Sequence, residues 1–405
     1  MPSTPTPKKT LLFKFHGQTL QFAVSDSLFS SFHVDTGTQL LLRTVADLQP
    51  RKFRKVLDLG CGYGPIGLTL LKTGWAAETH MTDRDALAIE YTRRNAETNG
   101  VAGATVYGSL GYDSVKDPDF DLVISNIPAK AGDAAITSFL LGARKHLRAD
   151  GMAAVVVVER LHDMVAGALA GDPGREVTHV KQGSGHTAFH YRFAGDGPDG
   201  GVNGDDDPYL RAEVQFSYGK ASVHMRIAFG LPEFDTLSFQ SRLLIAGLRN
   251  LGAARSGAFF NPGQGHTAVA ALKALGLQSV TLFDRDLLAL RYTKDSLVIN
   301  GLPADSVATV HSMDIDPTVP EAGFDLVAGA LREDEGTDAA VARAIQAAAV
   351  LGPSGTLLIA GGSTLITRLQ DALRSNRRPL RLVDRQREKG YSLLIMKLKE
   401  TGGPR

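Results

Sequence analysis

The sequence predicts an α/β fold made of two tandem Rossmann-like, doubly wound domains, each preceded by a small β-hairpin element. Short apolar stretches alternate with amphipathic ones in the first half, and a strand–helix alternation implies a parallel sheet covered on both faces. The phrase TDRDALAIEYTRRNAETNG at 82–100 returns as FDRDLLALRYTKDSLVING at 283–301. A chain of 405 residues is also longer than one hydrophobic core comfortably serves.

The individual elements follow from periodicity and turn residues. Residues 11–25 alternate apolar and polar side chains around a glycine, which predicts a β-hairpin, and 213–229 look like its counterpart in the second half. The predicted strands of the first half are short apolar runs at 55–60, 78–83, 120–125 and 152–159. The predicted helices, whose apolar residues recur at helical spacing, cover 65–74, 84–100 and 134–151.

A polar stretch separates the two halves. It reads AGDGPDGGVNGDDDP, has almost nothing to bury and is typical of a flexible linker. The repeat keeps its register on either side of it, because Asp83 pairs with Asp284 and Gly62 with Gly263, each 201 residues apart. The sequence therefore predicts a first domain over 1–195, a linker over 196–208 and a second domain over 209–405.

Composition excludes several classes of protein. The formal net charge of +1 argues against a polybasic nucleic-acid coat, although local basic patches are compatible with it. A single cysteine, Cys61, excludes an intramolecular disulfide and suits a reducing compartment. No apolar signal core stands near the N-terminus, and the longest aliphatic run is too short to span a bilayer. We therefore expect a cytoplasmic protein without membrane contact, and the histidines show no metal-binding spacing.

The stretch DLGCGYG at 58–64 is the first sign of a ligand site. It follows a predicted strand and opens a predicted helix, and its glycines let the backbone turn sharply and approach a ligand closely. Asp58 stands just before these glycines. Asp83 ends the next strand, where an acid can accept both ribose hydroxyls of a nucleoside. A glycine turn needed only for packing explains neither acid, so the pattern predicts nucleoside binding.

This combination resembles the class I S-adenosylmethionine-dependent methyltransferases. In that family the acid and the glycine loop face the methionine part of the cofactor, and the acid after the second strand holds the ribose. The resemblance covers most of 29–193 and implies S-adenosyl-L-methionine as the cofactor. The cofactor-binding residues that it implies are Asp58, Gly60, Cys61, Gly62, Gly64, Asp83, Arg84, Ser109 and Asn126. Cys61 fits the turn better as a small filler than as a nucleophile, since no base partner is evident.

The acceptor site is predicted directly after the strand FDLVIS, where the chain reads NIPAKAG. Many methyltransferases that act on exocyclic amino nitrogens carry N-P-P-(Tyr/Phe/Trp) here. The side-chain oxygen of Asn126 and the backbone carbonyl of Ile127 can hold amino hydrogens, and Pro128 stiffens the turn. These three are the predicted catalytic residues. The alternative interpretation of Asn126 is a strand-end cap or turn residue.

The segment FSSFHVDTGTQLLL at 29–42 narrows the resemblance. It is similar to the F-S-x-x-x-L-D-x-G-(Ser/Thr)-x-L-L-L segment of the ribosomal RNA guanine-2-amino methyltransferases, the methyltransferase small domain group. The resemblance implies an N-methyltransferase whose partner is RNA, ribosomal RNA foremost, and whose target is the 2-amino group of a guanine. The alternative for this segment is an ordinary helix start, with Asp35 or Thr36 as its cap.

Two features depart from that family. Ala129 stands where an aromatic side chain normally stacks on the flipped base, so Tyr63, Phe32 or a group from the second half would have to replace it. The ribosomal enzymes are tandem duplications whose second copy works, whereas here the first copy has the site residues.

The second half is predicted to be a degenerate copy that has lost cofactor binding. Phe259 stands where the first half has Asp58, and a phenyl ring cannot replace the hydrogen bonds of a carboxylate. Asp284 survives, but an acid after the strand is not sufficient alone. Ala330 replaces Asn126, so the acceptor clamp is lost as well.

Several alternatives stay open. The acceptor could be a protein glutamine amide or a small-molecule amine, or both copies could serve a non-catalytic RNA-binding or assembly protein. Basic clusters at 51–55 and 374–389 fit either RNA contact or a solvated face. We expect His186 and His190 to be structural, no metal to be needed, and the chain to be a monomer or a homodimer.

Overall fold

The described residues of the computed structural model form two compact units that divide between 209 and 210. These residues are 9–28, 32–48, 52–171, 174–194, 207–218, 221–319, 323–334, 336–374 and 379–399. The predicted linker at 196–208 lies outside them except for its last two positions, so the predicted domain limits remain a prediction. Parts of the segment at 29–42 and of the two basic clusters, namely 29–31, 51 and 375–378, also lie outside them.

The first unit begins with the predicted hairpin. Strands β1 (Lys9–Phe15) and β2 (Gln18–Val24) pair antiparallel. The two turn residues, His16 and Gly17, have φ angles of 44° and 77°. Two consecutive positive φ angles match the twist of the flanking strands, which favours this tight connection.

A seven-stranded mixed sheet with flanking helices follows the hairpin. Its elements are α1 (Thr36–Ala46), β3 (Phe53–Leu59), α2 (Pro65–Lys72), β4 (Ala76–Asp83), α3 (Ala86–Asn99), β5 (Ala104–Gly108), β6 (Phe120–Asn126), α4 (Asp133–Gly142), β7 (Leu147–Val158), α5 (His162–Ala170), β8 (Arg175–Gly183) and β9 (His186–Phe193). The strand order is β5-β4-β3-β6-β7-β9-β8, and β9 runs in the direction opposite to the other six strands. The chain order reverses between β3 and β6, where doubly wound sheets open a ligand crevice.

One predicted helix is too long. The structure ends α4 at Gly142 and continues with a short 3-10 turn, so that β7 already begins at Leu147. The N–H of Phe120 donates to the carbonyl of His146 at 2.9 Å, which draws the chain into the sheet before the apolar run begins.

The second unit repeats this architecture. Its elements are β10 (Leu210–Tyr218), β11 (Ala221–Ala228), α6 (Phe239–Leu248), β12 (Ser256–Phe260), α7 (His266–Leu275), β13 (Ser279–Asp284), α8 (Leu287–Ile299), β14 (Val307–His311), β15 (Phe324–Ala330), α9 (Gly336–Val350), β16 (Leu351–Gly362), α10 (Ser363–Leu373), β17 (Leu380–Glu388) and β18 (Tyr391–Leu398). The strand order β14-β13-β12-β15-β16-β18-β17 is that of the first unit. The predicted α/β class with two Rossmann-like sheets and their hairpins is confirmed.

Two side chains whose role the sequence did not decide, His190 and Arg385, make contacts within their own unit. His190 is fully buried, and its Nε2 lies 2.8 Å from the hydroxyl of Thr44, which agrees with a structural role. Within the basic cluster at 374–389, the Arg385 guanidinium lies 2.9 Å from both Gln370 Oε1 and Thr367 Oγ1. None of the described helices is both long and apolar enough to cross a lipid bilayer.

Asparagine side chains attach each hairpin to its sheet. Asn99 of α3 accepts from the N–H of Gln21 at 2.8 Å and donates to its carbonyl at 2.7 Å, as a neighbouring strand would. Asn95 does the same with Ala23, at 2.8 and 3.1 Å, and also donates to the carbonyl of Tyr63 at 2.9 Å. In the second unit, Asn300 binds both backbone groups of one β11 residue, at 3.2 and 2.6 Å.

Replacing Asn95 should therefore destabilise the first unit. Asn95→Ala leaves both backbone groups of Ala23 and one loop carbonyl without their buried partner, so the free energy of unfolding should fall by about 1–3 kcal/mol in urea titration. Thr98→Ala on the same helix is the matched control, because the Thr98 hydroxyl is exposed and bonds only its own helix at 2.9 Å. Equal stability of the two variants would contradict the role assigned to Asn95.

Candidate functional site

The glycine loop is open to an incoming ligand. It connects β3 to α2, and Gly60 and Gly62 have φ angles of 76° and 58°. A Cβ atom added at either position would meet no heavy atom of the described residues within 4 Å, so no described side chain covers the two glycines. The N–H of Gly60 donates to Thr82 at 2.8 Å, and the hydroxyl of Thr92 holds the carbonyl of Gly62 at 2.8 Å. The loop is thus fixed from behind and exposed in front.

Asp58, near the carboxyl end of β3, is a buried acid with an unused oxygen. Its side chain is fully buried, and its Oδ2 accepts from the N–H of Gly67 at 2.8 Å. Its Oδ1 is buried and has no hydrogen-bond partner among the described residues. Burial raises the pKa of Asp58 to about 7, and the charge of Asp83 adds to this effect while the Gly67 hydrogen bond opposes it. An unsatisfied buried acceptor of this kind is suited to a ligand donor.

Asp83 ends β4 beside the glycine loop. One carboxylate oxygen accepts from the N–H of Gly62 and the other from the N–H of Asp85, each at 2.9 Å. Burial raises the pKa of Asp83 to about 6, with a smaller contribution from the charge of Asp85. Each oxygen keeps a second lone-pair direction, so the carboxylate can accept two further hydrogen bonds in a fixed orientation.

Asn126 ends β6, on the other side of the crevice from β4. Its Nδ2 donates to Oδ2 of Asp35 at 2.8 Å and to the hydroxyl of Thr38 at 3.0 Å. The next residue, Ile127, is buried, and its N–H donates to Val156 in β7 at 3.0 Å. The structure therefore brings Asn126 and the backbone after it to the edge where Asp58 and Asp83 lie.

Other predicted cofactor residues have internal contacts. Burial, with the charges of Asp83 and Asp58, raises the pKa of the Cys61 thiol well above its usual value, so the sulfur is a protonated filler in the turn. The buried Ser109 uses its hydroxyl within its own loop, donating to Gly111 at 2.7 Å and accepting from Ser114 at 3.0 Å. The charge of Arg84 lowers the pKa of Asp83 against the larger effect of burial.

The aromatic side chains proposed to replace the missing ring behave differently. Tyr63 is only 3% exposed and packs against Phe22 at a centroid distance of 5.6 Å, so it cannot stack on a base. Phe32 is 75% exposed, with the Lys9 ammonium 5.3 Å from its ring centroid. The exposed guanidinium of Arg160 lies beside the acceptor loop, donating to the carbonyl of Ala129 at 3.3 Å. Sequence reasoning missed Arg160, since it stands 31 positions from Ala129.

In the second unit, residues of the chain itself bind the corresponding acid. The guanidinium of Arg332 donates to Oδ1 of Asp284 at 2.8 Å and to Asn261 at 3.2 Å. Asn261 in turn donates to the carbonyl of Ala330 at 2.9 Å. Phe259, in the position of Asp58, is packed in the apolar core. The surviving acid is therefore neutralised internally, and no buried carboxylate precedes the loop.

Arg332 occupies the place that Pro128 has in the first unit. The preceding residue, Leu331, donates to Ala360 at 2.8 Å, as Ile127 donates to β7. Burial raises the pKa of Asp284 to about 6, although the charge of Arg332 acts in the opposite direction. Among the residues that the structure describes, no cluster of His, Cys, Asp or Glu is arranged to hold a metal ion.

Comparison with known proteins agrees with this geometry. Residues 19–172 match the model of the methyltransferase small domain family. The uncharacterized protein YbxB of Bacillus subtilis is 31% identical over 160 residues, which are 39% of this chain and 79% of that protein. The chain belongs to the methyltransferase small domain family. It is an S-adenosylmethionine-dependent methyltransferase, as that family is.

Other relatives are similar to this chain over a shorter part of their length. Ribosomal RNA small subunit methyltransferase C of Hahella chejuensis is 37% identical over 142 residues, 34% of this chain and 40% of that enzyme. The chain thus spans less than half of that relative. The structure of the T. thermophilus 16S rRNA N2 G1207 methyltransferase in complex with AdoMet and guanosine covers 96% of this chain and 98% of its own, with a TM-score of 0.65 and 18% identity. At 18% identity this similarity is evidence for a shared fold and not for a shared substrate.

The first unit offers groups that fit the cofactor. The free Oδ1 of Asp58, the open faces of Gly60 and Gly62 and the remaining lone pairs of Asp83 lie along one edge of the sheet. The second unit has a paired acid and a buried phenyl ring at the corresponding positions.

One cofactor should therefore bind per chain, and Asp83 should decide the affinity. Asp83→Asn removes the charge from two ribose hydrogen bonds, so the Kd measured by isothermal titration calorimetry should rise about tenfold to a hundredfold. Asp284→Asn is the matched control and should leave affinity and stoichiometry unchanged. A stoichiometry of two, or equal effects of the two variants, would refute this assignment.

Cofactor binding should weaken below neutral pH. The folded pKa values of Asp58 and Asp83, about 7 and about 6, lie above the usual value for an aspartate, so the protein with no cofactor bound is protonated there at mildly acid pH. A cationic cofactor favours the ionised acids, so affinity should fall by roughly tenfold between pH 7 and 6, and more steeply below pH 6, where Asp83 is protonated as well.

The same shifts act on stability with the opposite sign. A carboxyl group whose folded pKa is raised stabilises the fold fully below its unfolded pKa, and this contribution is lost as pH rises through about 7 for Asp58. Asp58→Asn should reduce the pH dependence of cofactor affinity, measured by calorimetry from pH 5 to 8. It should also reduce the pH dependence of stability, measured by thermal unfolding over the same range. Unchanged pH profiles in this variant would contradict the role of Asp58.

Proposed function

We propose that this protein methylates the exocyclic 2-amino group of a guanine in ribosomal RNA. The observation that carries the proposal is the position of Asn126, at the end of β6 and next to the crevice that Asp58 and Asp83 border. The side-chain nitrogen of Asn126 donates both of its hydrogens, to Asp35 Oδ2 at 2.8 Å and to the Thr38 hydroxyl at 3.0 Å. Its carbonyl oxygen is therefore available to an amino group. The names of the related ribosomal RNA enzymes support the choice of RNA.

Each site residue then has a defined task. Asp83 accepts the ribose hydroxyls, Asp58 accepts a donor from the methionine part, and Gly60 and Gly62 allow the backbone to come close. S-adenosylmethionine supplies an activated methyl group on a sulfonium. Asn126 Oδ1 and the carbonyl of Ile127 accept the two amino hydrogens and direct the nitrogen lone pair at the methyl carbon. Pro128 restricts the turn that carries them.

No strong base is required in this scheme. The lone pair of the guanine amino nitrogen would form the bond to the methyl carbon while the bond from that carbon to the sulfonium sulfur breaks. The electron pair of the broken bond would stay on sulfur, so that neutral S-adenosylhomocysteine leaves, and the methylated, positively charged nitrogen would release one proton to water. The role of Asn126 and Ile127 is to orient the nitrogen and to stabilise the charge that develops on it through two oxygen acceptors. Cys61, the only thiol in the chain, is buried and protonated, so it has no part in the transfer.

The RNA base would need a planar partner in place of the aromatic residue that Ala129 replaces. The guanidinium of Arg160, next to Ala129, is planar and cationic, and such a group can stack on a base and pair with phosphate. Phe32 is an exposed aromatic side chain of the same unit, close to the Lys9 ammonium. We propose these groups as the RNA-contacting surface of the first unit.

Methyl transfer from labelled cofactor to ribosomal RNA tests the function directly. RNA from cells lacking the gene should accept label at one guanine, at its N2, and RNA from cells with the gene should not. Asn126→Ala should lower kcat by about 10²-fold, because it removes an oxygen that orients the reacting nitrogen. Its cofactor Kd should stay within about twofold of the wild type, which separates chemistry from binding.

Label found in protein rather than in RNA would show that the acceptor is not RNA and would favour a glutamine amide of a protein instead. Absence of label in either, together with normal cofactor binding, would contradict the proposed function. Full activity of Asn126→Ala on RNA would be consistent with the proposed function but would contradict the role proposed for Asn126.

A further inference from the structure

We propose that Asp35 and Thr38 are positioning residues for methyl transfer, which hold the Asn126 amide so that its oxygen faces the amine to be methylated. This inference rests on the proposed function and deepens it. Asp35 stands 91 residues before Asn126 in the chain, and the fold brings Asp35 Oδ2 to 2.8 Å from Asn126 Nδ2.

The contact decides which way the amide points. An asparagine amide has a donor side and an acceptor side of nearly equal shape, and packing alone does not distinguish them. An ionised carboxylate only accepts, so it attracts the Asn126 nitrogen and repels the oxygen. The Thr38 hydroxyl takes the second N–H at 3.0 Å. With both hydrogens engaged, the oxygen points away from Asp35 and Thr38.

The backbone holds Asp35 in place for this task. Asp35 is the N-cap of α1, and its Oδ2 also accepts from the N–H of Thr38 at 3.1 Å. A Cβ atom at Gly37 would lie 2.9 Å from Asp35 Oδ2 and 2.7 Å from Cδ2 of His186, so a larger residue there would push one of these two side chains out of its place. The first turn of α1 is therefore seated tightly beside Asn126.

The second unit provides an internal comparison. There Ser238 caps α6, and its hydroxyl accepts from the N–H of Ser241 at 3.1 Å. Capping this helix thus needs only a hydroxyl. The unit that has Ala330 in place of Asn126 also has no acid at the cap. The carboxylate of Asp35 and the amide of Asn126 are present together in one unit and absent together in the other.

The orientation restricts the kind of acceptor. An outward amide oxygen accepts N–H groups, so it recognises a nitrogen that carries hydrogen, such as the exocyclic amine of guanine. A ring nitrogen without hydrogen offers only a lone pair and would need the amide nitrogen instead. Asp35 and Thr38 therefore favour exocyclic amines over ring nitrogens as substrates.

The decisive variant is Asp35→Asn, which keeps the shape and the capping ability of the residue but removes the obligatory acceptor. We expect kcat on ribosomal RNA to fall about 10- to 100-fold, with the cofactor Kd and the melting temperature close to wild type. In the Asn126→Ala background the same change should have no further effect, since the two residues act as one unit. Thr38→Val should lower kcat several-fold, and Thr38→Ser should restore it.

Asp286→Asn is the matched control. Asp286 caps α8 and accepts from the N–H of Leu288 at 2.9 Å, so its replacement changes a capping acid that belongs to the second unit. It should leave kcat unchanged. If Asp35→Asn has the kcat of the wild type, or if its effect adds fully to that of Asn126→Ala, the inference is wrong.

A second readout separates this inference from the proposed function. The side-chain amide protons of Asn126, followed by 15N NMR, should exchange slowly in the wild type and at least tenfold faster in Asp35→Asn. This result is expected even if wild-type protein fails to methylate RNA, in which case the function falls and the positioning contact stands. Fast exchange in the wild type would overturn the contact itself.

Discussion

A carboxylate buried at the edge of a sheet must be compensated, and the two units meet this constraint in opposite ways. In the first unit Asp58 is fully buried, one of its oxygens has no hydrogen-bond partner among the described residues, and the nearby charge of Asp83 raises its pKa further. That arrangement destabilises the free protein and is relieved by a cationic ligand. In the second unit Phe259 stands at the position that corresponds to Asp58, and Arg332 forms an ion pair with the remaining acid, Asp284. A single fold thus carries one open site and one closed site.

The duplication kept those residues that hold the fold together. Asn99 and Asn300 each bind a hairpin strand, and Lys72 and Lys273 each donate to the carbonyl of that asparagine, at 2.8 and 2.7 Å. This contact between the hairpin strand and the end of the helix is therefore shared by both units. The differences concentrate at the carboxyl ends of β3 and β6 and their counterparts, where side chains meet a ligand rather than a core. Fold and chemistry are separable here because they depend on different residues.

Much of this could be read from the sequence, since the fold follows from local signals. Apolar strands, glycine loops and the repeated phrase predicted two doubly wound sheets and singled out Asp58, Asp83 and Asn126 as candidate site residues. Contacts between distant strand ends could not be predicted in the same way. The pairing of Arg332 with Asp284 joins residues 48 positions apart, and one-dimensional patterns do not show which side chain reaches across a crevice. Tyr63 was a candidate for base stacking until its burial excluded it.

We expect only the first unit to hold the cofactor. A crystal structure of the full chain grown with S-adenosylmethionine, or with its demethylated product, tests it most directly. The account predicts electron density for one nucleoside between Asp58 and Asp83, with the Arg332–Asp284 ion pair intact. Density beside Phe259, with Arg332 displaced and the crevice at Gly62 containing only water, would contradict it.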